Sequence, residues 1–340
     1  MFGRKLFVGF FVALFLFSFS YVLAEPAERV IAKDDAITLA MSEATQSKVQ
    51  EEELSEDSGQ RSYRQQLKTI IKEETESEEA AMPQEVDSYV RFIPKKTVKA
   101  MDGKVGITNA ATEYSYDWKA FGKIPVEFAL GSGYIGINES VQQVSLPSQL
   151  TRLSMGAEVT LPVLVVDKTY VRFGLSPTFL ADGWDYAAAD FRLLGRCFLI
   201  NQPNDKWVFI AGVAVFPETK NRIVPIAGFI YKPNDKLTFN IMPDRPYVSY
   251  LLNKKLTVFV EGGSAGGEYV VDMDNQHTNV KLDYNELHAG LGLKYKVNKF
   301  AECSLSSGSV FNHNLEYRES LGKVAIKNGM YTEFRVDLRI

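Results

Sequence analysis

The sequence predicts an all-β fold, an antiparallel transmembrane β-barrel of about 12 strands behind a polar, largely disordered or helical leader. Three observations predict it. From about residue 103 onward, runs of roughly ten residues alternate apolar with polar or small side chains. Short turns bearing Asn and Asp alternate with longer links between these runs. Aromatic residues stand beside the short turns.

The first 24 residues read as a secretory signal. Arg4 and Lys5 precede the mostly apolar run Leu6 to Phe19, and Val22-Leu23-Ala24 offers small residues for cleavage after Ala24. Glu25 follows, so no lipoprotein thiol is present at that junction. Residues 25–100 form an acidic leader, with Glu51-Glu52-Glu53 and Glu76-Ser77-Glu78-Glu79 and few large apolar residues. Such a segment buries too little surface to offset its ordering entropy, although Ser62 to Ala81 suits a helix. Residues 101–340 are assigned to the barrel.

Within 101–340 the alternation sets one greasy face against one polar face, because successive strand side chains point to opposite sides. Leu153, Met155, Ala157, Val159 and Leu161 oppose Arg152, Ser154, Gly156, Glu158 and Thr160. Val171, Phe173 and Leu175 oppose Arg172, Gly174 and Ser176. Leu287, Ala289, Leu291 and Leu293 oppose Glu286, His288, Gly290 and Gly292. The last strand sets Phe334, Val336, Leu338 and Ile340 against Glu333, Arg335, Asp337 and Arg339. Around 190–216, by contrast, Leu194, Phe198, Val208 and Ile210 put apolar groups on the polar face as well, which predicts a partly packed interior.

Turn chemistry supports the same reading. Pro203-Asn204-Asp205-Lys206-Trp207 is echoed by Pro233-Asn234-Asp235-Lys236-Leu237, and further short reversals fall at Val166-Asp167-Lys168, Asn253-Lys254-Lys255 and Asn298-Lys299. Longer links lie near 139–148, 181–189, 272–283 and 317–328. Short turns at one rim and long loops at the other are the outer-membrane pattern. Thirteen strand runs can be marked between 112 and 340. Closed bacterial barrels use even numbers, so about 12 strands are expected, with 10 and 14 as bounds. The stretch around Pro243 and Pro246 is expected to bend inward or form a low rim, and Pro225 is expected at a bulge because it lacks a ladder donor.

A soluble periplasmic β-sandwich or calyx would share the alternation. The polar face favours the membrane alternative, because charges and glycines on it suit a watery lumen. Tyr170, Trp207, Tyr231, Tyr295 and Phe300 beside the short turns suit headgroup-level girdles, although Tyr170 and Phe300 fall on the polar-face parity. The C-terminal strand Phe334, Val336, Leu338, Ile340 resembles the signal strand read by the outer-membrane assembly machinery, with Ile340 where Phe is usual. Three features lie between Gly195 and Gly292: the Pro-Asn-Asp turns, the bend Met242-Pro243-Asp244-Arg245-Pro246-Tyr247-Val248-Ser249-Tyr250 and the strand at Glu261-Gly262-Gly263. With these the chain resembles a bacterial family of uncharacterised outer-membrane β-barrel proteins, classed as a domain of unknown function. The resemblance covers roughly 100–340 and implies fold and location, with no ligand or active site.

The chemistry is sparse. His277, His288 and His313 lack a serine two residues later, the spacing that would set a His–Ser pair side by side on one strand face. His288 shares a face with Glu286, which reads as a lumen ion pair rather than a catalytic one. Asp272, Asp274, Asp283 and Glu286 could supply oxygens to Ca²⁺ if the loop folded back, but a solvated acidic loop is the simpler reading, and no metal or cofactor is expected. Cys197 and Cys303 fall on the outer face of strands far apart in order, where they would not meet. A net charge of -4 gives no case for nucleic acid.

The lumen remains as the candidate site, lined by Arg152, Glu158, Arg172, Arg192, Arg196, Glu261, Glu286, His288, Glu302, Glu333 and Arg335. Arginines from three consecutive strands would face a mainly acidic wall from the last three, and a transverse field of that kind selects polar solutes. In a narrower barrel the same charges would pair and plug it. A channel for small polar solutes and a structural or adhesive barrel with a filled lumen therefore both stand. A barrel hydrolase has less support. The expected partners are the lipid bilayer and the assembly machinery.

Overall fold

The computed structural model describes residues 84–121, 124–141, 144–163, 166–184, 190–215, 223–243, 245–272, 279–318 and 321–340. The expected signal segment and most of the expected leader lie outside them. The strands are β1 (Gln84–Thr97), β2 (Lys104–Ala120), β3 (Ile124–Glu139), β4 (Gln149–Pro162), β5 (Thr169–Asp182), β6 (Asp190–Asn204), β7 (Trp207–Val215) and β8 (Ile223–Asn234). They continue as β9 (Leu237–Ile241), β10 (Tyr247–Leu251), β11 (Leu256–Val271), β12 (Val280–Lys296), β13 (Ala301–Tyr317), β14 (Gly322–Ile326) and β15 (Gly329–Arg339). Each pairs antiparallel with its sequence neighbour up to β13; β15 then pairs with both β13 and β1, which closes the barrel. No helix occurs among the described residues.

The wall has fourteen strands rather than 12, with β14 as an extension of the last. β14 and β15 keep one register on β13, from Tyr317↔Gly322 and His313↔Ile326 to Val310↔Gly329 and Ala301↔Leu338. The barrel also starts earlier than residue 101. β1 lies inside the expected leader, yet its register runs from Glu85↔Arg339 to Phe92↔Thr332 on β15 and from Gln84↔Tyr116 to Thr97↔Lys104 on β2. Its inward face carries Asp87, Tyr89 and Arg91, so by composition it looks like a continuation of the charged leader. Its outward Val90 and Phe92 are about half exposed and belong to the greasy belt.

That belt is the inversion of a soluble protein. Leu130, Leu175, Val260, Leu291, Leu305 and Phe334 are each more than half or about half exposed on the outer face, while Glu113, Arg172, Glu286 and Glu333 are buried inside. Exposed aliphatic side chains on one face of every long strand are stable where lipid, not water, surrounds them. Trp207, Tyr231 and Phe239 stack in one row beside the short turns, with ring centroids 4.1 and 6.0 Å apart. At four of the turns on that rim the chain reverses by one repeated device. The side-chain oxygens of Asn204, Asn234, Asn253 and Asn298 each accept bonds from the backbone N–H groups two and three residues on, at 2.7–3.2 Å.

Pro225 needs no bulge. It sits in unbroken register opposite Val213 of β7. Lys232 N–H bonds to Lys206 across β7, so by alternation Pro225 turns its missing donor the other way. On that side β9 reaches only Phe229↔Ile241, so no ladder bond is lost.

Inside, the two ends differ. At the long-loop end, Ile93, Ile107, Ile135, Leu150 and Leu180 from β1–β5 pack in one cluster with Tyr269, Leu282, Tyr284, Leu315 and Ile326 from β11–β14. The β3–β4 link folds onto it through Val141, Val144 and Leu146, fixed by the Tyr317 hydroxyl donating to the Ser145 carbonyl at 2.6 Å. A second cluster, Phe198, Ile200, Val208, Ile210, Ile230 and Met242, fills the inner face of β6–β8, the packed interior expected from their two apolar faces.

Candidate functional site

Strand alternation on β1 aims Asp87 and Arg91 at the same lumen level as the inward residues of β12 and β15, and an ion network forms there. Arg91 donates from Nε and Nη2 to Glu333 at 2.9 and 2.7 Å, and from Nη1 to Glu286 at 2.6 Å. Both ring nitrogens of His288 lie 3.1 Å from the same guanidinium. The Tyr284 hydroxyl donates to the second Glu286 oxygen at 2.5 Å. Glu333 also accepts from Arg335 at 2.9 Å and Arg245 at 3.3 Å, while Arg335 reaches Asp87 at 3.3 Å. Arg245 holds Glu261 through Nε at 2.9 Å. The Tyr331 ring lies 5.2 Å from Arg91, and the Tyr89 ring 4.9 Å from Arg335, so aromatic faces help hold these cations.

Arg245 enters from an unexpected place. It belongs to the β9–β10 link, which carries its guanidinium inward to β11 and β15. Of the seven charged groups meeting here, sequence reading marks Glu261, Glu286, Glu333 and Arg335 and misses Asp87, Arg91 and Arg245. The spacing of Asp87 and Arg91, four apart on one strand face, was a readable signal. Arg245 in a link was not.

A second group lies on β2–β6. Glu158 is held between Arg196 at 3.3 Å and Arg172 at 3.9 Å, and Arg172 donates to Thr160 at 2.9 Å. Gly174 makes room for it, since a Cβ there would come 2.9 Å from Glu158 Cγ. In register beside Glu158 stands Glu127, and beside that Asp117, so three carboxylates form a row across β2–β4. Glu127 is 4% exposed and neither of its carboxylate oxygens has a hydrogen-bond partner among the described residues. Arg152 lies inward against Gly133 of β3.

A third group ties β6 to β11. Glu268 pairs with Arg192, Arg318 and, at 2.9 Å, Lys281, and Arg192 also holds Asp190 at 2.6 Å. Arg192 lies on the inner face of β6, whereas Glu268 lies on the β11 face opposite Tyr269. The upper part of β11 is therefore tucked inside β6. Glu302 sits apart, near the short-turn rim, 3.4 Å from Lys294 and 3.9 Å from Arg339.

These placements correct the expectation of a basic wall facing an acidic one. Arg172 and Arg196 pair with Glu158 on an adjacent part of the same wall, Arg192 with Asp190 and Glu268, and the acidic groups of β11, β12 and β15 with Arg91, Arg245 and Arg335. In a low-dielectric interior an unpaired charge costs far more than a paired one, so each pairs with its nearest opposite rather than building a field. The calcium grouping fails for a simpler reason. Asp283 and Glu286 are three apart on one strand, so they point to opposite faces. Asp272 accepts from the Asn279 N–H at 2.9 Å, and Asp274 and His277 lie outside the described residues. No three His, Cys, Asp or Glu groups converge on a metal position among the described residues. His313 is buried edge-on to Tyr284, 5.7 Å away. Phe334 and Val336 stand on the outer face with Leu338, and Ile340 is exposed.

Comparison with solved structures returns outer-membrane barrels at low identity. The translocator domain of the autotransporter NalP from Neisseria meningitidis is 10% identical, with 83% of this chain and 96% of that chain covered and a TM-score of 0.34. An outer membrane channel from Pseudomonas putida F1 is 7% identical over 78% and 98%, with a TM-score of 0.41. LpxR from Salmonella typhimurium is 10% identical over 75% and 100%, with a TM-score of 0.36. No curated protein matches in sequence. A family model does, and it spans residues 129–340, from the middle of β3 through the bend that carries Arg245 to the last strand. The chain belongs to that family, described as a domain of unknown function (DUF6268).

Proposed function

We propose that this chain is an outer-membrane β-barrel whose lumen is sealed at rest, and that it serves as a structural or surface-presenting barrel rather than a standing pore. The apolar cluster joining β1–β5 to β11–β14 at the long-loop end carries this reading, because close-packed aliphatic and aromatic side chains exclude water from the space they fill. The paired charges below add a second closure. Export by a signal segment ending at Ala24, a periplasmic leader ahead of β1, and recognition of the strand ending in Ile340 by the assembly machinery complete the picture. The two described histidines, His288 and His313, are enclosed in the lumen, which does not favour a hydrolytic role.

A second reading, passage of small polar solutes, draws on one observation. Glu127, together with Arg172 Nη1 and Arg196 Nη2, presents buried polar atoms that no group among the described residues satisfies. Water or a polar solute would satisfy them. Liposome swelling with small sugars and amino acids separates the two readings. A sealed barrel leaves swelling at the level of empty vesicles. Swelling that depends on solute size would establish the channel reading.

A further inference from the structure

The wall is half-height at one place. β9 and β10 have five residues each, between β8 with twelve and β11 with sixteen. Five residues at about 3.4 Å each, tilted by about 45°, cover about 12 Å of membrane thickness. The apolar band of an outer-membrane barrel is about 25 Å tall. The β8–β9 ladder ends at Phe229↔Ile241 and the β10–β11 ladder at Tyr247↔Glu261, so among the described residues no strand lies between β8 above Phe229 and β11 above Gly262, where β11 instead runs inside β6 with Glu268 on Arg192. The break begins within the greasy belt, where Val260 pairs with Leu291 and both are more than 60% exposed, and Ile223 at the upper end of β8 is 64% exposed.

Three features suit this place to opening rather than mere irregularity. Pro225 turns its donorless nitrogen toward the break, so the β8 edge presents one fewer unpaired N–H to lipid. Behind the break, Leu194, Ala214 and Val224, with Ile226 against them, make an apolar inner face that continues through Ile226 to Phe198 and Ile210. The link at the foot of the break is held by charge, not by packing alone, through Arg245 on Glu261 and Glu333.

We propose that the wall opens sideways between β8 and β11, that it admits an acyl chain from the adjoining leaflet to the apolar inner face of β6–β8, and that Arg245 is the latch. The occupant follows from position and lining: the break lies in the belt that contacts lipid tails, and an aliphatic chain matches an aliphatic wall. The route crosses the wall and does not run along the barrel axis, so it stands or falls separately from the sealed lumen.

A photo-crosslinking residue in place of Ile226, in the full chain folded into phosphatidylethanolamine–phosphatidylglycerol vesicles, tests this by mass spectrometry of lipid adducts. The same residue in place of Leu305 on the outer face is the lipid-contact control. Adducts at Ile226 are expected in the wild type, rising several-fold in Arg245→Gln toward the Leu305 yield. Adducts at Leu305 but none at Ile226 in either background would overturn the portal. Equal Ile226 yields in both backgrounds would overturn the latch. Should Arg245→Gln fail to fold, Glu261→Gln loosens the same contact from the other side and carries the same expectation.

Discussion

Glu333 receives three arginines from three different parts of the chain, Arg91, Arg245 and Arg335, and that convergence fixes what single substitutions should do. Replacing Arg91 by Met leaves Glu286 and Glu333 with one fewer partner each in a buried setting. The expected loss is about 3–5 kcal/mol, read from urea unfolding of the barrel in lipid vesicles, because an uncompensated buried charge costs more than the pair contributed. A change below about 1 kcal/mol would show that water reaches these groups. Glycines give a second test by position. Tyr331 lies across β12 and β13 so closely that a Cβ at Gly290 would come 2.4 Å from its hydroxyl, whereas a Cβ at Gly262 meets nothing nearer than 3.6 Å. Gly290→Val should therefore destabilise by about 1–3 kcal/mol and Gly262→Ala by less than about 0.5 kcal/mol in the same assay. Residue by residue, the inward face was legible wherever alternation was unbroken: Glu158, Arg172, Glu286, Glu333 and Arg335 all point inward as the period of two requires. Their partners were not legible. Arg91 meets Glu333 across 242 residues of chain, and no local pattern encodes which of several inward charges on distant strands will meet.

At the scale of elements, every one of the thirteen runs marked in the sequence is a strand, and the two elements missed are β1, whose charged lumen face reads as leader, and the short β14, which lies within the expected long link 317–328. β1 alternates as the others do, with Val90 and Phe92 outward, but Glu85, Asp87 and Arg91 disguise it as leader. Its role is decisive because it alone joins β15 to β2. A chain beginning at Gln84 should fold to the heat-modifiable form on gels, and one beginning at residue 101 should not, since an unpaired edge in lipid costs several kcal/mol per unsatisfied group. Folding of the shorter chain would contradict the closure through β1. The turns were legible because their chemistry is local: Asn234 makes both of its bonds within three residues. Asn234→Ala should cost about 1 kcal/mol in the unfolding assay, as expected for a pair of exposed turn hydrogen bonds. The half-height hairpin β9–β10 was legible as short segments on either side of Pro243 and Pro246. Its inward turn was left open beside a low rim, because the pull comes from Glu261 and Glu333 rather than from the link itself.

For the whole molecule, fourteen strands would leave an open lumen if inward residues were small, but these inward residues are not. Tyr269, Tyr284, Tyr317 and Tyr331 join aliphatic side chains to fill the long-loop end, and the ion network fills the level beneath. The opposed walls imagined from strand order become locally neutral pairs once β1 and Arg245 take their places. The central claim is that this barrel is sealed at rest, and single-channel recording of the purified, folded chain in a planar bilayer tests it most directly. The expected result is a baseline without steps across the ordinary voltage range, for the whole chain and for the chain beginning at Gln84 alike. Stable conductance steps from the whole chain would contradict the sealed lumen, and steps that appear only on removing the residues before Gln84 would contradict the assignment of the seal to the barrel's own interior.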